Sequence, residues 1–211
     1  MTATGPSTRR TFLAGLAAAA AAPSAIRAAK DFQSLFNDKD LTGWEGDHFL
    51  WKVEGGELVG RSPGISYNDF LATEESFDNF LLQLEVRLLS DEGNSGVQFR
   101  SERVPGSMEM IGYQADIGPG WWGNLYDESR RRRNLVEADP KVIERLVKKN
   151  DWNAYEVRAE ADKITLRLNG RVTADYVEPD GDVARKGRIA VQIHSGPPLE
   201  VRFRNIRIQK L

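Results

Sequence analysis

The sequence contains no cysteine, and its only histidines are His48 and His194. Without cysteine the fold has no disulfide, and cysteine catalysis and zinc–thiolate sites are excluded. Two histidines also exclude a metal site built from three imidazole ligands. Hydrophobic packing must therefore hold the fold together, and histidine or other polar side chains must carry any chemistry.

Strong net charge is absent as well, because 29 lysines and arginines nearly balance 31 aspartates and glutamates. Proteins that bind nucleic acid usually present a basic field, so nucleic acid is not an expected partner. The 211 residues, 40% of them hydrophobic, suit a single globular domain with a substantial core.

The N-terminus has the character of an export signal. Residues 8–13 read TRRTFL, and an alanine-rich apolar run continues to Ala22. This pattern is typical of a twin-arginine signal peptide; a membrane anchor is the alternative, but it needs roughly 20 apolar residues. We predict a signal peptide at 1–30, a mature domain at 31–211 without a membrane span, and a periplasmic or extracellular location.

Short runs of alternating apolar and polar residues follow, separated by Gly, Asn, Asp and Pro. Eleven such strands exceed a single open sheet, so we predict an all-β fold of two stacked antiparallel sheets. Asn169-Gly170 predicts a tight hairpin, and a change of parity predicts a β-bulge near Arg204 and Asn205. The predicted strands are 50–53, 57–60, 70–72, 79–89, 95–100, 112–117, 152–159, 163–168, 171–176, 187–194 and 200–209.

One short helix is predicted near residues 140–149. Asp139 can cap its N-terminus, and apolar residues recur at spacings of three and four. We expect it to pack at the edge of the sandwich, with a lid over a site as the alternative. The preceding run of four arginines, residues 130–133, is predicted to be a solvated loop.

The polar faces of several strands differ from an ordinary solvated surface, because they carry Gln, Arg, Asp, Glu and His but no lysine. Such planar groups suit a polyhydroxylated ligand, since each sugar hydroxyl both donates and accepts hydrogen bonds. If these strands share a sheet, that face should bind carbohydrate; ordinary surface residues are the alternative. The side chains concerned are Glu85, Arg87, Gln98, Arg100, Gln114, Asp116, Gln192 and His194.

A turn-rich loop at residues 118–123 carries two neighbouring indoles, Trp121 and Trp122. Tryptophan often stacks on sugar rings, although one of the pair can equally fill a gap in the core. We take Trp122 as the candidate ligand contact.

Residues 32–44, FQSLFNDKDLTGW, resemble the opening signature of the 3-keto-disaccharide hydrolase family, LFNGKDLTGW, with Asp38 replacing a glycine. The resemblance extends over essentially all of residues 31–211. It implies a concanavalin A-like jelly roll whose concave sheet binds carbohydrate, and substrates that are glycosides oxidised at C3. Further matching motifs include GNSGV at 93–97, YQAD at 113–116, GNLY at 123–126 and QIH at 192–194.

This substrate suggests a mechanism. A C3 ketone acidifies the C2 hydrogen, so a base can form an enolate that expels the C1 substituent, after which water adds. We predict His194 as the base and Arg100 as the stabiliser of the enolate. Asp116 and Glu85 could orient His194, act as acids, or bind a divalent metal with it. The expected substrate contacts are Asn94, Gln98, Gln114, Trp122, Tyr126 and Gln192, with Tyr126 also a reserve acid.

Three alternatives stay open at this point. Glu85 and Asp116 could form the carboxylate pair of a conventional glycosidase. The same face could belong to a non-catalytic carbohydrate-binding module, or to an exported scaffold with a degenerate site. The sequence makes no prediction about sugar identity, linkage or oligomeric state.

Overall fold

The computed structural model describes residues 1–2, 31–90 and 92–211. The predicted export motif at residues 8–13 lies outside the described residues. Within the described part of the chain, no helix is long and apolar enough to cross a membrane.

The described residues form fifteen β-strands and one α-helix. The strands are β1 (Gln33–Ser34), β2 (Trp44–Glu45), β3 (Trp51–Glu54), β4 (Glu57–Ser62), β5 (Asp69–Phe77), β6 (Phe80–Leu88), β7 (Ser95–Arg103), β8 (Met110–Ile117), β9 (Leu125–Glu128), β10 (Arg133–Val136), β11 (Asn153–Glu160), β12 (Lys163–Leu168), β13 (Arg171–Val177), β14 (Gly187–Ile193) and β15 (Leu199–Lys210), and the helix is α1 (Pro140–Leu146).

The strands build two antiparallel sheets, which confirms the predicted all-β architecture. The eight-stranded sheet has the order β13-β12-β11-β6-β15-β4-β3, with β1 paired to β15. The seven-stranded sheet has the order β10-β9-β8-β7-β14-β5-β2. All eleven predicted strands are present, whereas β1, β2, β9 and β10 were not predicted because two to four residues give no clear alternation.

The core lies between the sheets and is built by strict alternation. Along β6, buried residues alternate with half-buried ones over the whole strand. Each large apolar side chain removed from water contributes about 1.5–3 kcal/mol, which offsets the absence of disulfides. The contributing side chains include Leu82, Leu84 and Val86 from the eight-stranded sheet and Val97, Phe99, Tyr113, Ile117, Val191 and Ile193 from the seven-stranded sheet.

Two local predictions are confirmed by backbone geometry. Asn169 and Gly170 have φ values of 46° and 81°, as a two-residue hairpin with both central residues at positive φ requires. The register of β15 against β6 shifts between Arg204 and Arg207, and Asn205 has a φ of 54°. The bulge thus lies where the parity of the apolar residues changes.

Helix α1 begins where it was predicted to begin. The Asp139 carboxylate accepts a hydrogen bond from the backbone N–H of Lys141 at 2.9 Å, and Pro140 occupies the first turn. The helix ends at Leu146, before the predicted position 149. Its apolar residues pack against the core at the sandwich edge.

Arg100 connects the two sheets, and its predicted role as a charge stabiliser in the site is wrong. It belongs to β7 but has a φ of 48° at a shift in register with β8. Its guanidinium donates to the carbonyl oxygens of Asp78 (3.1 Å) and Ala161 (2.8 Å) and to Asn79 Oδ1 (3.2 Å). These acceptors lie in turns leading into or out of the eight-stranded sheet. Each buried acceptor left without its donor would cost about 1–3 kcal/mol, so Arg100 has a structural role.

Candidate functional site

A row of buried amide and carboxyl side chains lies on the outer face of the seven-stranded sheet. Along β7, β8 and β14 the alternate residues pack in the core, so the residues between them face the other way. These outward side chains are nevertheless no more than 2% exposed. We call this set the amide row; it consists of Gln98, Gln114, Asp116 and Gln192.

The side chain of Gln114 connects the whole amide row. Its Oε1 accepts a hydrogen bond from Gln98 Nε2 at 3.0 Å. Its Nε2 donates to Asp116 Oδ1 at 2.8 Å and to Gln192 Oε1 at 3.2 Å. Ser101 Oγ in turn donates to Gln98 Oε1 at 2.5 Å. Because each group has a defined donor or acceptor role, the row presents one fixed pattern of polar atoms.

Gly96 makes this arrangement possible. It pairs with Asp116 in the register between β7 and β8. A Cβ atom at this position would lie 2.3 Å from Cδ and 2.7 Å from Nε2 of Gln114. The Gln114 side chain therefore crosses β7 through the space that a larger residue at position 96 would fill, and so reaches Gln192 on β14.

Three polar atoms in and next to the amide row have no hydrogen-bond partner of ordinary geometry among the described residues. They are Asp116 Oδ2, Gln192 Nε2 and Asn94 Oδ1, all buried. Buried polar atoms are nearly always paired in native proteins, and an unpaired one costs about 1–3 kcal/mol. These atoms therefore retain unused hydrogen-bonding capacity at the amide row, which is a feature of sites that bind polar ligands.

Two carboxyl groups of the face favour their protonated forms. Burial raises the pKa of Asp116 to about 8, and the charge of Glu128 acts in the same direction, against the hydrogen bond from Gln114. Burial and the charge of Glu109 raise the pKa of Glu128 to about 7. At neutral pH Asp116 therefore mostly retains its proton, and Glu128 is close to half-ionised.

The side chain of Gln192 interacts with Glu128 across two intervening strands. Gln192 on β14 and Glu128 on β9 belong to strands separated by β7 and β8, about 14 Å apart in a flat sheet. The Gln192 side chain nevertheless comes close enough to Glu128 to favour its charged form and lower its pKa. The contact does not have the geometry of a full hydrogen bond. Tyr126 lies opposite Gln114, and burial together with Glu128 and Asp116 raises its pKa.

His194 directly follows β14 at one end of this face. Its backbone N–H donates to the carbonyl oxygen of Asn94 at 3.3 Å, and its Nδ1 lies 2.6 Å from the carbonyl oxygen of Ser195. A carbonyl oxygen can only accept, so the neutral ring carries its proton on Nδ1. The lone pair of the neutral ring is then on Nε2.

Glu85 was wrongly predicted to join this group. It lies on β6 in the eight-stranded sheet, where its carboxylate accepts hydrogen bonds from Arg204 Nε at 2.9 Å and Asn205 Nδ2 at 2.5 Å. The chain changes sheets between β5 and β6, so Glu85 and Asp116 lie on opposite sides of the sandwich. Neither the predicted carboxylate pair nor the predicted metal set of His194, Asp116 and Glu85 is assembled. No cluster of three metal-ligating side chains occurs in the residues that the structure describes.

Trp122, which was predicted to contact the ligand, is largely buried. Only 7% of it is exposed, and it packs in the hydrophobic core near α1. Its neighbour Trp121 is 43% exposed, so the loop divides its two indoles between the core and the surface.

Glu128 was missed because its strand was missed. In β9 one of the two core-facing positions is Leu125 and the other is Asp127, and this charged residue hides the alternation of a half-buried strand. Asp127 is fully buried and pairs with Arg131 at 3.0 Å, while Arg131 also binds Glu178 at 2.7 Å. The predicted solvated arginine loop is therefore correct only in part: Arg132 and Arg133 are exposed, whereas Arg130 and Arg131 pair with Asp127 and hold the β9 turn in place.

Comparison with known families agrees with this architecture. The family model of the 3-keto-alpha-glucoside-1,2-lyase-like domain matches residues 31–209. The chain belongs to this family. A search of curated protein sequences finds no match.

Solved structures similar to this 3-keto-alpha-glucoside-1,2-lyase-like domain share its fold at low sequence identity. A provisionally assigned glycosyl hydrolase from Parabacteroides distasonis is 19% identical with a TM-score of 0.64, covering 85% of this chain and 94% of its own. The carbohydrate-binding module CBM66 from Bacillus subtilis is 18% identical with a TM-score of 0.59, covering 80% and 96%. A Bacillus subtilis protein with a galectin-like fold is 12% identical with a TM-score of 0.65, covering 85% and 94%.

The 3-keto-alpha-glucoside-1,2-lyase-like domain should lose stability when Gly96 is replaced by alanine. The new methyl group would displace Gln114 from its hydrogen bonds, and such overpacking costs about 1–3 kcal/mol. Denaturant unfolding measures the change. Gly181→Ala is the matched control, because nothing lies within 4 Å of the added Cβ.

A Gly96→Ala, Gln114→Ala double variant tests the cause of that loss. If the clash is with the Gln114 side chain, the alanine at position 96 should cost almost nothing once that side chain is gone. An equal cost in both backgrounds would show that Gly96 does not act by making room for Gln114.

Proposed function

We propose that this domain cleaves 3-keto glycosides by removing the proton at C2 and eliminating the substituent at C1. The observation that carries the proposal is the Asp116 carboxyl, which is buried, held in its protonated form and unpartnered at Oδ2. Such a group can deliver a proton to a leaving oxygen. The family description, which names a lyase acting on 3-keto-α-glucosides, supports the same reaction.

The base in this proposal is His194. Its Nε2 takes the C2 proton, and the electrons of the C–H bond form an enolate with the C3 ketone. The enolate then collapses to a C1–C2 double bond as the C1–O bond breaks. Asp116 transfers its Oδ2 proton to the departing oxygen, and Gln192 Nε2, which also interacts with Glu128, has a second hydrogen that can be donated to a ligand oxygen. Addition of water to the unsaturated sugar completes a net hydrolysis, and solvent returns the proton from His194 to Asp116.

The glutamine side chains position the substrate in this scheme. Gln98 and Gln114 are fully engaged within the amide row, so they hold Asp116 and Gln192 in place. Asn94 Oδ1 remains as an acceptor for a sugar hydroxyl close to His194. Glu128 contributes its negative charge, which helps to keep the proton on Asp116. Tyr126 is placed beside Gln114 as a further hydroxyl donor.

We further propose that the domain works in the periplasm or outside the cell, after export by the twin-arginine route. The support is the TRRTFL sequence at residues 8–13 and the alanine-rich apolar run that follows it to Ala22. Replacing Arg9 and Arg10 by lysine should retain the protein in the cytoplasmic fraction, as measured by immunoblotting. Unchanged fractionation would contradict this route.

A non-catalytic carbohydrate-binding module is the second candidate function. The unpaired atoms of the amide row would bind sugar hydroxyls without any chemistry, and the fold is shared with the module CBM66. A wild-type protein that binds 3-keto glycosides without consuming them would favour this alternative.

Asp116→Asn and His194→Gln should each lower kcat on a 3-keto-α-glucoside by about 100-fold or more, since each removes a proton-transfer group. Substrate affinity should fall much less, because both replacements retain polar contacts. Release of the leaving group, followed by chromatography or NMR, measures turnover.

Glu85→Gln is the control for this experiment, since Glu85 lies on the opposite side of the sandwich. Its turnover should stay within about twofold of wild type. Unchanged turnover in both site variants, or an equal loss in the control, would contradict the assigned roles.

Turnover should also depend on pH in a way that Glu128 controls. Asp116 must be protonated to act as an acid, so kcat/KM should fall as the pH rises through about 8. Replacing Glu128 by Gln removes a negative charge that raises the pKa of Asp116, so this alkaline limb should move to lower pH. An alkaline limb that stays in place or moves upward would show that Asp116 and Glu128 are not coupled as described.

A further inference from the structure

Four loops meet at the end of the seven-stranded sheet where His194 lies. Asp69, the first residue of β5, pairs with Ile193, the last residue of β14. Ser95, the first residue of β7, pairs with Ile117, the last residue of β8. The segments before β5 and β7 and after β14 and β8 therefore surround this end of the amide row.

The loop before β5 carries Tyr67, whose side chain is 46% exposed. The next residue, Asn68, accepts a hydrogen bond from the Ser195 N–H at 2.9 Å. Two residues before Tyr67, the carbonyl oxygen of Ile65 accepts one from the Gly196 N–H at 2.8 Å. Tyr67 is thus held from both sides against the segment that directly follows His194.

The loop after β8 carries the exposed indole of Trp121. The backbone N–H of Trp121 donates to the carbonyl oxygen of Gly118 at 2.9 Å, and the backbone carbonyl oxygen of Trp121 accepts from the Asn124 N–H at 3.1 Å. Gly118 packs closely on Asn94, whose Cα would lie 3.2 Å from a Cβ at position 118. The burial of Trp122 in the core anchors this loop, so Trp121 is an exposed aromatic residue on an ordered turn.

Between these two aromatic residues lie His194 and Asn94, which are joined through their backbones. Strands β5 and β8 are three spacings apart, about 14 Å in a flat sheet. Exposed aromatic rings are costly in water, and their faces stack on flat apolar surfaces such as an aryl ring or the C–H face of a pyranose.

We propose that Tyr67 and Trp121 form a leaving-group subsite that selects glycosides whose C1 substituent is a ring. The inference rests on the proposed function, because it places the departing group beside the residues that transfer protons. Stacking on either side of His194 would hold the ring while the sugar lies over the amide row. A small alkyl leaving group would gain nothing from these contacts.

Three substrates with the same 3-keto-α-glucosyl group test the subsite: the methyl glycoside, the phenyl glycoside and a disaccharide. Tyr67→Ala and Trp121→Ala should each lower kcat/KM about 3- to 10-fold for the ring-bearing substrates and less than twofold for the methyl glycoside. Tyr67→Phe should retain the wild-type preference, because it keeps the ring. Val177→Ala, at a 61% exposed valine of β13 in the other sheet, is the control for loss of surface apolar area.

Comparison of the substrates identifies the preferred leaving group. If kcat/KM falls only for the disaccharide, the subsite binds a sugar; if it falls only for the phenyl glycoside, the subsite binds an aryl group. Losses of equal size on all three substrates, or on none, would overturn the subsite while leaving the cleavage reaction intact.

If the wild-type protein cleaves none of the three glycosides, the proposed reaction is wrong. Calorimetric binding of the same compounds then tests the Tyr67–Trp121 subsite separately. Weaker binding of only the ring-bearing compounds to the alanine variants would then support it, and unchanged binding would refute it.

Discussion

The hydrogen bonds of the Gln114 side chain set the geometry of the candidate site. They can form only because Gly96 has no side chain. With only a hydrogen atom there, an amide from β8 crosses β7 and reaches β14, joining residues of three strands. Asp116 is then buried with one oxygen bonded and the other unpaired. The same glycine that weakens β7 locally by removing packing thus allows a polar array that no isolated strand could support.

Burying this array has a cost that the remainder of the sandwich must offset. A carboxyl group kept neutral and several polar atoms without partners all disfavour folding relative to an apolar face. The alternating core of both sheets provides the main compensation. Arg100 ties β7 to the turns of the opposite sheet, and Arg131 ties the β9 turn to Glu178. Destabilised polar groups on a well-packed scaffold are the arrangement expected of a functional site.

Much of this arrangement could be predicted from the sequence, because period-two alternation determines both the strands and which residues share a face. Gln98, Gln114, Asp116 and Gln192 were identified together for this reason, and they do share a face. The alternation does not show which sheet a strand joins, so Glu85 was assigned to the wrong side.

Other errors came from local irregularities. A shift in register directs Arg100 away from the outer face, and no pattern of hydrophobicity reveals that shift. A charged residue in a core-facing position, Asp127, concealed β9 and with it Glu128. The two tryptophans were ambiguous because adjacent positions in a turn point in unrelated directions.

The position of β15 has a consequence for how the chain must acquire its structure. This strand, the last along the domain, lies between β6 and β4 in the interior of the eight-stranded sheet, and β1 pairs with it as well. Until β15 has formed, β6 and β4 each lack one of their two neighbouring strands, and their core-facing sides expose apolar surface. Assembly is therefore dominated by contacts between residues far apart in sequence, which slows folding and leaves the growing polypeptide dependent on protection from aggregation. The eight-stranded sheet can therefore be completed only once β15, which ends at Lys210, has been synthesised.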